Sequence, residues 1–330
     1  MKAILINNDK SLRWDEVPNP SISSEECLIK IEAVGINRAD LLQREGNYPP
    51  PPGCPEWMGL EVAGTIIEMG EVAKKESNLK IGQKVCGLLG GGGYAEFVSV
   101  RYDMLMPVPK NTTMVEAAAI PEAFATAYLN LFMEGKVKSG DTLLLTAGNS
   151  GLASVIIPMA KAFGLRVITT VLSQVKAESI KHLNADIIVD TSKESLVDVL
   201  RRQYEEGHPV DVAIDCLGGS VMGECLKYLS YGARWIMIAT LAGDLSNIDL
   251  KNVYIKNVRI IGSTLRSKPL NVKAQILKEI VVIVYTKFES GEVMPTIYET
   301  LPIEQAEAAH DILYKGKNSG KVVLLVTHKE

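Results

Sequence analysis

The sequence is poor in the residues that bind metals or form disulfides. Its five cysteines are scattered through 330 residues without a C-x-x-C pair, and its four histidines are equally dispersed. An odd number of widely spaced cysteines argues against a disulfide framework and against a cysteine-rich zinc lobe. We therefore expect no metal site, and we interpret the histidines as surface or packing residues.

The sequence also lacks a surplus of basic residues and long apolar runs. Its formal net charge is -4, which gives no indication of a nucleic-acid partner. Apolar clusters such as residues 280–285 are far shorter than the roughly 20 residues of a membrane span. The opening MKAILI enters a strand-like segment without the features of a signal peptide. These absences predict a cytoplasmic protein with no membrane partner.

The chain is long enough for two domains, and its pattern changes along its length. Up to about residue 118 it is rich in Gly and Pro, with short alternating runs such as CLIKIEAVGI and EVAGTIIEMG that predict strands. YPPPPG (48–53) and GLLGGGGYAEFVSV (87–100) exclude a helix and indicate loops. This part is predicted to be rich in β-structure.

After residue 139, apolar runs alternate with segments of helical period. The runs are DTLLLTA, RVITTV, ADIIVD, PVDVAIDCLG and ARWIMIAT. This alternation is typical of βαβ units and a parallel sheet covered on both faces. From about 267 a helical segment (269–290) and a final strand, GKVVLLV, return to mixed character.

A loop of small residues follows the first of these runs. The G-x-G-x-x-G expected of a dinucleotide site reads Gly148-Asn149-Ser150-Gly151-Leu152-Ala153. Gly148 and Gly151 can supply the tight turn and the close approach of backbone to pyrophosphate. Ser150 adds a hydroxyl that could donate to a phosphate. Within the βαβ pattern, the loop predicts a dinucleotide site.

The turn after the second run indicates which nicotinamide cofactor is bound. A site for NAD usually has Asp or Glu about 20 residues after the loop, but residues 172–176 read LSQVK. The Ser173 hydroxyl and Lys176 ammonium suit the 2′-phosphate of NADP. We therefore predict NADPH as the cofactor; the alternative is that Lys176 merely begins a solvated helix face.

With GINRADLLQREGNYPPPPG (35–53), AAAIPEA, DCLGGS, GSTLRS and NSGKVVL, the chain resembles the zinc-independent quinone oxidoreductases of the medium-chain dehydrogenase/reductase superfamily. It is most similar to their tumour-suppressor-induced branch, and the likeness extends over essentially the whole chain. The resemblance implies an α/β protein: a GroES-like, β-rich catalytic domain (1–118 and 267–330) and a Rossmann domain with a doubly wound parallel sheet (119–266). Zinc-dependent relatives have histidine in G-H-E, where this chain has Gly59-Leu60-Glu61, so no metal site is expected.

The resemblance also implies roles for individual residues. Asn37 and Tyr48 would be catalytic and flank the nicotinamide and the substrate, and Thr126 would face the nicotinamide. Gly148, Ser150, Gly151 and Leu152 would meet the pyrophosphate, and Ser173 and Lys176 the 2′-phosphate. The remaining cofactor-binding residues would be Cys216, Leu217, Gly218, Ala239, Leu241, Ser263, Leu265, Arg266, Asn318 and Lys321.

Two positions depart from the family pattern, and several residues have simpler interpretations. Members often have Tyr where this chain has Thr191, which would weaken adenine stacking, and Gly in place of Ala153. Tyr48 could be a packed loop anchor, Asn37 could cap a turn, and Arg266 could be a surface residue.

The activity implied is NADPH-dependent reduction of quinone-like or other conjugated carbonyl substrates by a homodimer. Tyr48 and Asn37 would stabilise the developing oxyanion. The alternatives are a 2-enoyl or alkenal reductase, and an NADPH-binding sensor or structural protein with little turnover.

Overall fold

The computed structural model describes residues 1–328, which fold into two compact units. One unit contains Met1–Ala125 and resumes at Arg266, and the other contains Thr126–Leu265. The chain was predicted to divide after residues 118 and 266, so the first division comes seven residues later and the second one residue earlier. The later division reflects packing within the first unit, where the Phe124 and Phe288 rings meet edge to face with centroids 4.9 Å apart.

Fifteen strands are found in the described residues. They are β1 (Lys2–Ile6), β2 (Leu12–Glu16), β3 (Glu26–Gly35), β4 (Glu61–Met69), β5 (Lys84–Leu88), β6 (Phe97–Arg101), β7 (Leu105–Pro107), β8 (Thr142–Leu145), β9 (Arg166–Val171), β10 (Ile187–Asp190), β11 (Val210–Asp215), β12 (Leu229–Met237), β13 (Arg259–Gly262), β14 (Ile297–Pro302) and β15 (Lys321–Leu325).

Twelve α-helices accompany the strands in residues 1–328. They are α1 (Arg38–Arg44), α2 (Glu71–Glu76), α3 (Met114–Ala117), α4 (Pro121–Tyr128), α5 (Ala153–Ala162), α6 (Gln174–Ser179), α7 (Leu196–Glu205), α8 (Val221–Cys225), α9 (Leu250–Ile255), α10 (Leu270–Glu279), α11 (Tyr285–Glu289) and α12 (Ala306–Tyr314). Short 3₁₀ helices span Tyr102–Met104, Lys181–Leu183, Leu226–Tyr228 and Ile303–Gln305, and π-helical turns span Leu129–Glu134 and Ile280–Val284.

The first unit is built on a seven-stranded sheet. Its strand order is β14-β15-β3-β4-β5-β7, with β6 pairing to β3, and β1 and β2 form a separate hairpin. All pairs in the sheet are antiparallel except β14 with β15. The alternating run in β3 buries Cys27, Ile29 and Ile31 on one face, as period-two patterning requires. The C-terminal segment thus completes a β-rich unit that begins at the N-terminus.

The second unit is a six-stranded parallel sheet in the order β10-β9-β8-β11-β12-β13. This is the 3-2-1-4-5-6 order of a Rossmann fold. β8 is buried at all four of its residues, and Trp235 in β12 is fully buried, as expected where helices cover both faces. The predicted α/β fold class, a β-rich unit together with a Rossmann sheet, is confirmed.

The segment predicted as one helix over 269–290 is interrupted. It consists of α10, one π-helical turn (Ile280–Val284) and α11, which begins at Tyr285. The β-branched run IVVIV occupies the π turn, and β-branched side chains crowd the preceding turn of an α-helix. Among residues 1–328, no helix combines the length and the apolar character that crossing a membrane requires.

Candidate functional site

The turn that follows β8 depends on glycine at residue 148. A Cβ atom there would lie 2.4 Å from Thr169 Oγ1, an impossible contact with a buried side chain that donates to Leu145 O. Gly148 N donates to Thr170 O at 2.7 Å, which holds the turn against β9. Gly148 therefore allows the close packing of turn and strand that a phosphate-binding loop needs.

The start of α5 presents donors to an anion. Ser150 Oγ accepts from Ala153 N at 3.1 Å, and Ser154 Oγ donates to Gly151 O at 2.7 Å. Because the Ser150 oxygen accepts this bond, its own hydroxyl proton is still available to a phosphate oxygen. A helix N-terminus with such donors suits a phosphate, so Gly148, Ser150, Gly151 and Leu152 fit the predicted pyrophosphate site.

The turn after β9 contains no acidic residue. Ser173 caps the N-terminus of α6, where its Oγ accepts from Lys176 N at 3.4 Å. Burial lowers the pKa of the partly buried Lys176. Ser173 and Lys176 therefore lie within one helical turn at the carboxyl end of β9, the position from which the ribose of a dinucleotide is contacted in this fold.

The turns after β11 and β12 are joined to one another. The buried Asp215 accepts from Thr146 Oγ1, Leu217 N and Gly218 N, and its other oxygen accepts from Trp235 Nε1. Leu241 N and Ala242 N in turn donate to Cys216 O and Leu217 O. This arrangement brings Cys216, Leu217, Gly218, Ala239 and Leu241 to one edge of the sheet.

The residues after the outer strands complete this edge. Ser263 follows β13, and its Oγ is buried without a hydrogen-bond partner in residues 1–328, whereas Leu265 is buried two residues later. On the other side of the sheet, Thr191 Oγ1 donates to Val171 O at 3.0 Å. An unpartnered buried hydroxyl is the kind of group that a ligand satisfies, so this edge of the second unit fits a dinucleotide.

In the first unit, a buried ion pair fixes the side chain of Asn37. Lys321 Nζ lies 2.6 Å from Glu61 Oε1 and also donates to Asn37 Oδ1 and Ile36 O. Asn37 Nδ2 donates to the same Glu61 oxygen at 2.9 Å. The three ammonium protons of Lys321 are thus directed at protein acceptors, and the Asn37 amide is bonded at both of its polar atoms. Lys321 and Asn37 therefore position the site.

A second buried chain of polar groups is joined to this ion pair through Asn37. Asp40 accepts from Asn37 N, Gly59 N and the Tyr94 hydroxyl, and that hydroxyl is 3.0 Å from His310 Nε2. Burial raises the pKa of Asp40 to about 6 and lowers the pKa of His310 to about 3. Leu60, in the Gly59-Leu60-Glu61 segment where the resemblance implied no metal ligand, is buried. No cluster of His, Cys, Asp or Glu in residues 1–328 could hold a metal ion.

Arg266 is buried in the first unit, so the interpretation of this residue as a surface residue is wrong. Its guanidinium donates to Gly90 O, Tyr48 O and Gln43 Oε1, and it lies 4.6 Å from the centre of the Tyr48 ring. A cation over an aromatic face is attracted by the ring quadrupole. Arg266 therefore orients the partly exposed Tyr48, whose hydroxyl has no hydrogen-bond partner in the described chain.

Two charged residues near Tyr48 were not found from the sequence. Burial raises the pKa of Glu122 to about 8, and the neighbouring Glu61 carboxylate adds to the shift. Burial lowers the pKa of Lys273, whose ammonium donates to Arg266 O. Lys273 lies within a segment whose periodicity indicates only a helix, so no sequence signal marks it. The strong departure of Glu122 from its ordinary pKa is typical of functional sites.

Asn318 and Thr126 complete the predicted set. Asn318 Nδ2 donates to Gly320 O at 2.9 Å, and the Thr126 carbonyl accepts from Asn130 Nδ2 at 2.8 Å. The structure thus gathers the predicted residues into two groups. The first unit contains Asn37, Tyr48, Arg266, Asn318 and Lys321, and the second contains the other predicted residues.

Two family models match the chain. Residues 23–110 match the alcohol dehydrogenase GroES-like domain, and residues 151–281 match the zinc-binding dehydrogenase model. Together the two matches cover about two thirds of the chain. They correspond to the β-rich first unit and to most of the parallel sheet of the second.

Curated relatives match over nearly the whole chain. A quinone oxidoreductase-like protein 2 homolog from Nematostella vectensis is 27% identical, covering 94% of this chain and 84% of its own. Quinone oxidoreductase from Mus musculus is 28% identical, with 94% and 92% covered. Acryloyl-coenzyme A reductase from Sulfurisphaera tokodaii is 26% identical, with 98% and 99% covered.

Solved structures share the fold along its full length. Mycobacterial Rv1454c, solved in complex with NADPH, superposes with a TM-score of 0.85 at 26% identity, covering 98% of this chain and 99% of that one. An NAD-dependent alcohol dehydrogenase superposes with a TM-score of 0.83, also at 26% identity, with 99% and 100% covered. Both nicotinamide cofactors are therefore represented among these structural neighbours.

Proposed function

Because the chain is an oxidoreductase of the medium-chain dehydrogenase/reductase superfamily, we propose that it is an NADPH-dependent, zinc-independent reductase of quinone-like and other conjugated carbonyl acceptors. The proposal rests on two features, an acid-free dinucleotide turn in the second unit and, in the first, a partly exposed Tyr48 whose hydroxyl has no hydrogen-bond partner in residues 1–328. The quinone oxidoreductase relatives, matched over 94% of this chain, support this acceptor class.

The choice of NADPH is supported by the turn after β9. An acid at this position would accept from a ribose hydroxyl and repel a 2′-phosphate, but residues 172–176 contain none. The Ser173 hydroxyl and the Lys176 ammonium provide donors for the phosphate oxygens. NADPH, when bound, supplies the hydride.

The first unit supplies the groups that act on the acceptor. Arg266 holds the Tyr48 ring, and the hydroxyl of Tyr48 is free to donate to an acceptor oxygen as negative charge develops there. The amide of Asn37 is held by Glu61 and Lys321, so we assign Asn37 to positioning in preference to direct donation. We keep Lys321 in the same role.

A 2-enoyl or acryloyl-type reductase is the second candidate. It is favoured by the acryloyl-coenzyme A reductase relative, which this chain matches over 98% of its length. The hydride chemistry is the same, but the proton is added at the α-carbon. The two candidates therefore differ in the shape of the acceptor and in the atom that receives the proton.

We further propose that the protein works in the cytoplasm as a homodimer. No disulfide links the five cysteines, all of which lie in residues 1–328, and this is typical of a reducing compartment. The outermost strand of the parallel sheet, β13, has one unpaired edge that a second copy could extend.

The test follows oxidation of NADPH and of NADH with a panel of quinones, alkenals and enoyl thioesters. We expect turnover with quinones and conjugated carbonyls, at least tenfold tighter binding of NADPH than NADH (about 1.4 kcal/mol), and no loss of activity after chelator treatment. Lys176→Ala should shrink the cofactor preference, whereas Lys138→Ala, an exposed lysine just before β8, should not. Equal binding of both cofactors would reject the NADPH assignment, and stoichiometric bound zinc would reject the zinc-independent one.

A further inference from the structure

A group of polar side chains in the first unit has few partners of its own. In residues 1–328, no protein group hydrogen-bonds the carboxyl of Glu122 or the Tyr48 hydroxyl, and the ammonium of Lys273 has only the Arg266 carbonyl, at 2.7 Å. Lys273 is nonetheless 92% buried, being only 8% exposed. Buried polar groups in native proteins are normally satisfied. A buried ammonium with two protons that no protein group accepts therefore indicates a place where a polar ligand can bind.

The backbone fixes where Glu122 lies. Its N–H donates to Glu61 Oε2 at 2.9 Å, and Glu61 is held from the other side by Lys321. Burial of the Glu122 carboxyl opposes its ionisation, and the negative charge of the neighbouring Glu61 opposes it further. Lys321 and Lys273 act in the opposite direction. The Glu122 carboxyl therefore keeps its proton near pH 7, and the charge of Lys273 favours its ionised form.

Glu122 is also close to the groups assigned to the acceptor. Burial raises the pKa of Tyr48. The charge of Arg266 lowers this pKa, and a charge on Glu122 raises it. Burial raises the pKa of the partly exposed Cys54, and the charges of Arg266 and Lys273 lower it. Direct contacts join Arg266 to Tyr48 and to Lys273, and Glu122 and Cys54 are coupled to them by charge. We call these five residues the acceptor cluster: Tyr48, Cys54, Glu122, Arg266 and Lys273.

The reaction of the proposed function needs a proton as well as a hydride. We propose that Glu122 is the proton donor of this reductase, and that Lys273 stabilises the carboxylate that remains after the proton has left. This inference rests on the proposed function. The carboxyl O–H bond of Glu122 breaks as a new O–H bond forms on the acceptor oxygen, or a C–H bond forms at the α-carbon of an enoyl acceptor.

Hydride and proton together reduce the acceptor by two electrons while NADPH is oxidised to NADP⁺. Glu122 then recovers a proton from water, since its side chain is partly exposed. The Tyr48 hydroxyl donates a hydrogen bond to the same oxygen without giving up its proton, because burial raises its pKa. The two residues therefore have separate roles, one polarising the acceptor and one protonating it.

The experiment compares wild type with Glu122→Gln, Lys273→Met and the control Glu304→Gln, which removes an exposed carboxylate of the same unit. The readout is the pH profile of kcat/KM with a weakly reactive conjugated carbonyl. We expect the wild-type rate to fall above about pH 8, where Glu122 ionises. Glu122→Gln should be slower by about 10² to 10⁴ and lose this falling limb. Lys273→Met should move the limb to higher pH, and Glu304→Gln should match wild type.

A second readout does not depend on turnover. Between the ordinary pKa of a glutamate and about 8, the folded protein keeps the Glu122 proton while the unfolded chain loses it, so this group makes the protein less stable as pH rises. Glu122→Gln removes this effect. Its melting temperature should therefore rise relative to wild type as pH increases from 4.5 to 8, and a difference that is constant with pH would overturn the assignment.

The outcomes separate the two proposals. A wild-type enzyme that reduces the acceptors, together with a Glu122→Gln variant of equal rate and an unchanged limb near pH 8, would overturn the donor role alone. Wild-type protein that reduces none of the acceptors would overturn the proposed function and the donor role with it. If Lys273→Met lowers the rate but leaves the falling limb of the pH profile at the wild-type pH, the role of Lys273 is overturned.

Discussion

At the scale of single residues, the first unit distinguishes groups that hold the site from groups that face it. The ammonium of Lys321 has its three protons directed at protein oxygens, and the amide of Asn37 is bonded at both ends. The Tyr48 hydroxyl has no such partner within the described residues 1–328, although its ring is held by Arg266. A group whose bonds are already made cannot respond to charge that appears during a reaction, so Tyr48 is the better candidate for polarising an acceptor.

Replacing Tyr48 with Phe tests this assignment. The hydroxyl alone is removed, so the ring can still stack on Arg266 and folding should be nearly unaffected. We expect kcat/KM to fall by about one to three powers of ten, with much less change in cofactor affinity. The assay should include a poor acceptor, because a reactive quinone would hide the loss. Wild-type turnover of both kinds of acceptor would leave Tyr48 as a packing residue only.

His310 should make stability depend on pH. Burial lowers its pKa from 6.5 to about 3, so between these values the unfolded chain takes up a proton that the folded protein does not. Stability should therefore fall as pH drops below about 6.5, by up to about 1.4 kcal/mol per pH unit. Asp40, joined to His310 through Tyr94, acts in the opposite sense between pH 6 and 3.8, because burial raises its pKa.

The measurement is urea unfolding of wild type and His310→Gln at several pH values from 7.5 to 4. The variant should lose less stability on acidification, since it has no buried imidazole to keep neutral. His182→Gln, which changes an exposed histidine, is the control. Parallel stability curves for wild type and His310→Gln would show that the imidazole is not responsible. The nearby charges of Arg44 and Asp311 remain in place in both proteins.

At the scale of elements, the turn after β8 depends on a contact that only glycine permits. In Gly148→Ala the new Cβ would meet Thr169 Oγ1 at 2.4 Å, so the turn or β9 must shift. We expect the free energy of unfolding to drop by about 1 to 3 kcal/mol, the usual cost of overpacking, and cofactor affinity to fall with it. Fluorescence titration with NADPH and urea unfolding provide the two measurements.

Thr169→Ala, made alone and together with Gly148→Ala, is the matched control for this prediction. It removes the atoms that the new methyl group meets, although it also removes the hydrogen bond to Leu145 O. A double-mutant cycle separates the two effects, and the double variant should recover part of the lost affinity. Independent, additive losses would mean that the Gly148 contact is not the cause.

The elements also show what the sequence could and could not predict. The order of strands and helices and the loop at 148–153 follow from periodicity and small residues, because these are local properties. The helix over 269–290 was predicted without its π turn, since periodicity reports apolar faces and not hydrogen-bond register. Glu122 and Lys273 could not be found from sequence. Their significance depends on burial and on neighbours such as Glu61, which is distant in the chain.

At the scale of the whole molecule, β13 is an edge strand of the parallel sheet. Ile260 on this strand is 42% exposed. We predict a homodimer in which two such edges meet, so light scattering at micromolar concentration should give twice the mass of one chain. Ile260→Lys should shift the protein towards monomer, because charge on an edge strand opposes pairing. Ile67→Lys, at a similarly exposed isoleucine in β4, should leave the mass unchanged.

A final consequence concerns the order in which the molecule can be assembled during synthesis. The second unit is one uninterrupted stretch, whereas the first is completed only when β14 and β15 join its sheet. Lys321 belongs to that late segment, so a ribosome-bound nascent chain that ends before it holds the Glu61 carboxylate without its counter-ion. An uncompensated charge strongly opposes burial. The parallel sheet is therefore expected to fold first on the ribosome, and the acceptor cluster, with Arg266 and Lys273 also in the late segment, to take shape last.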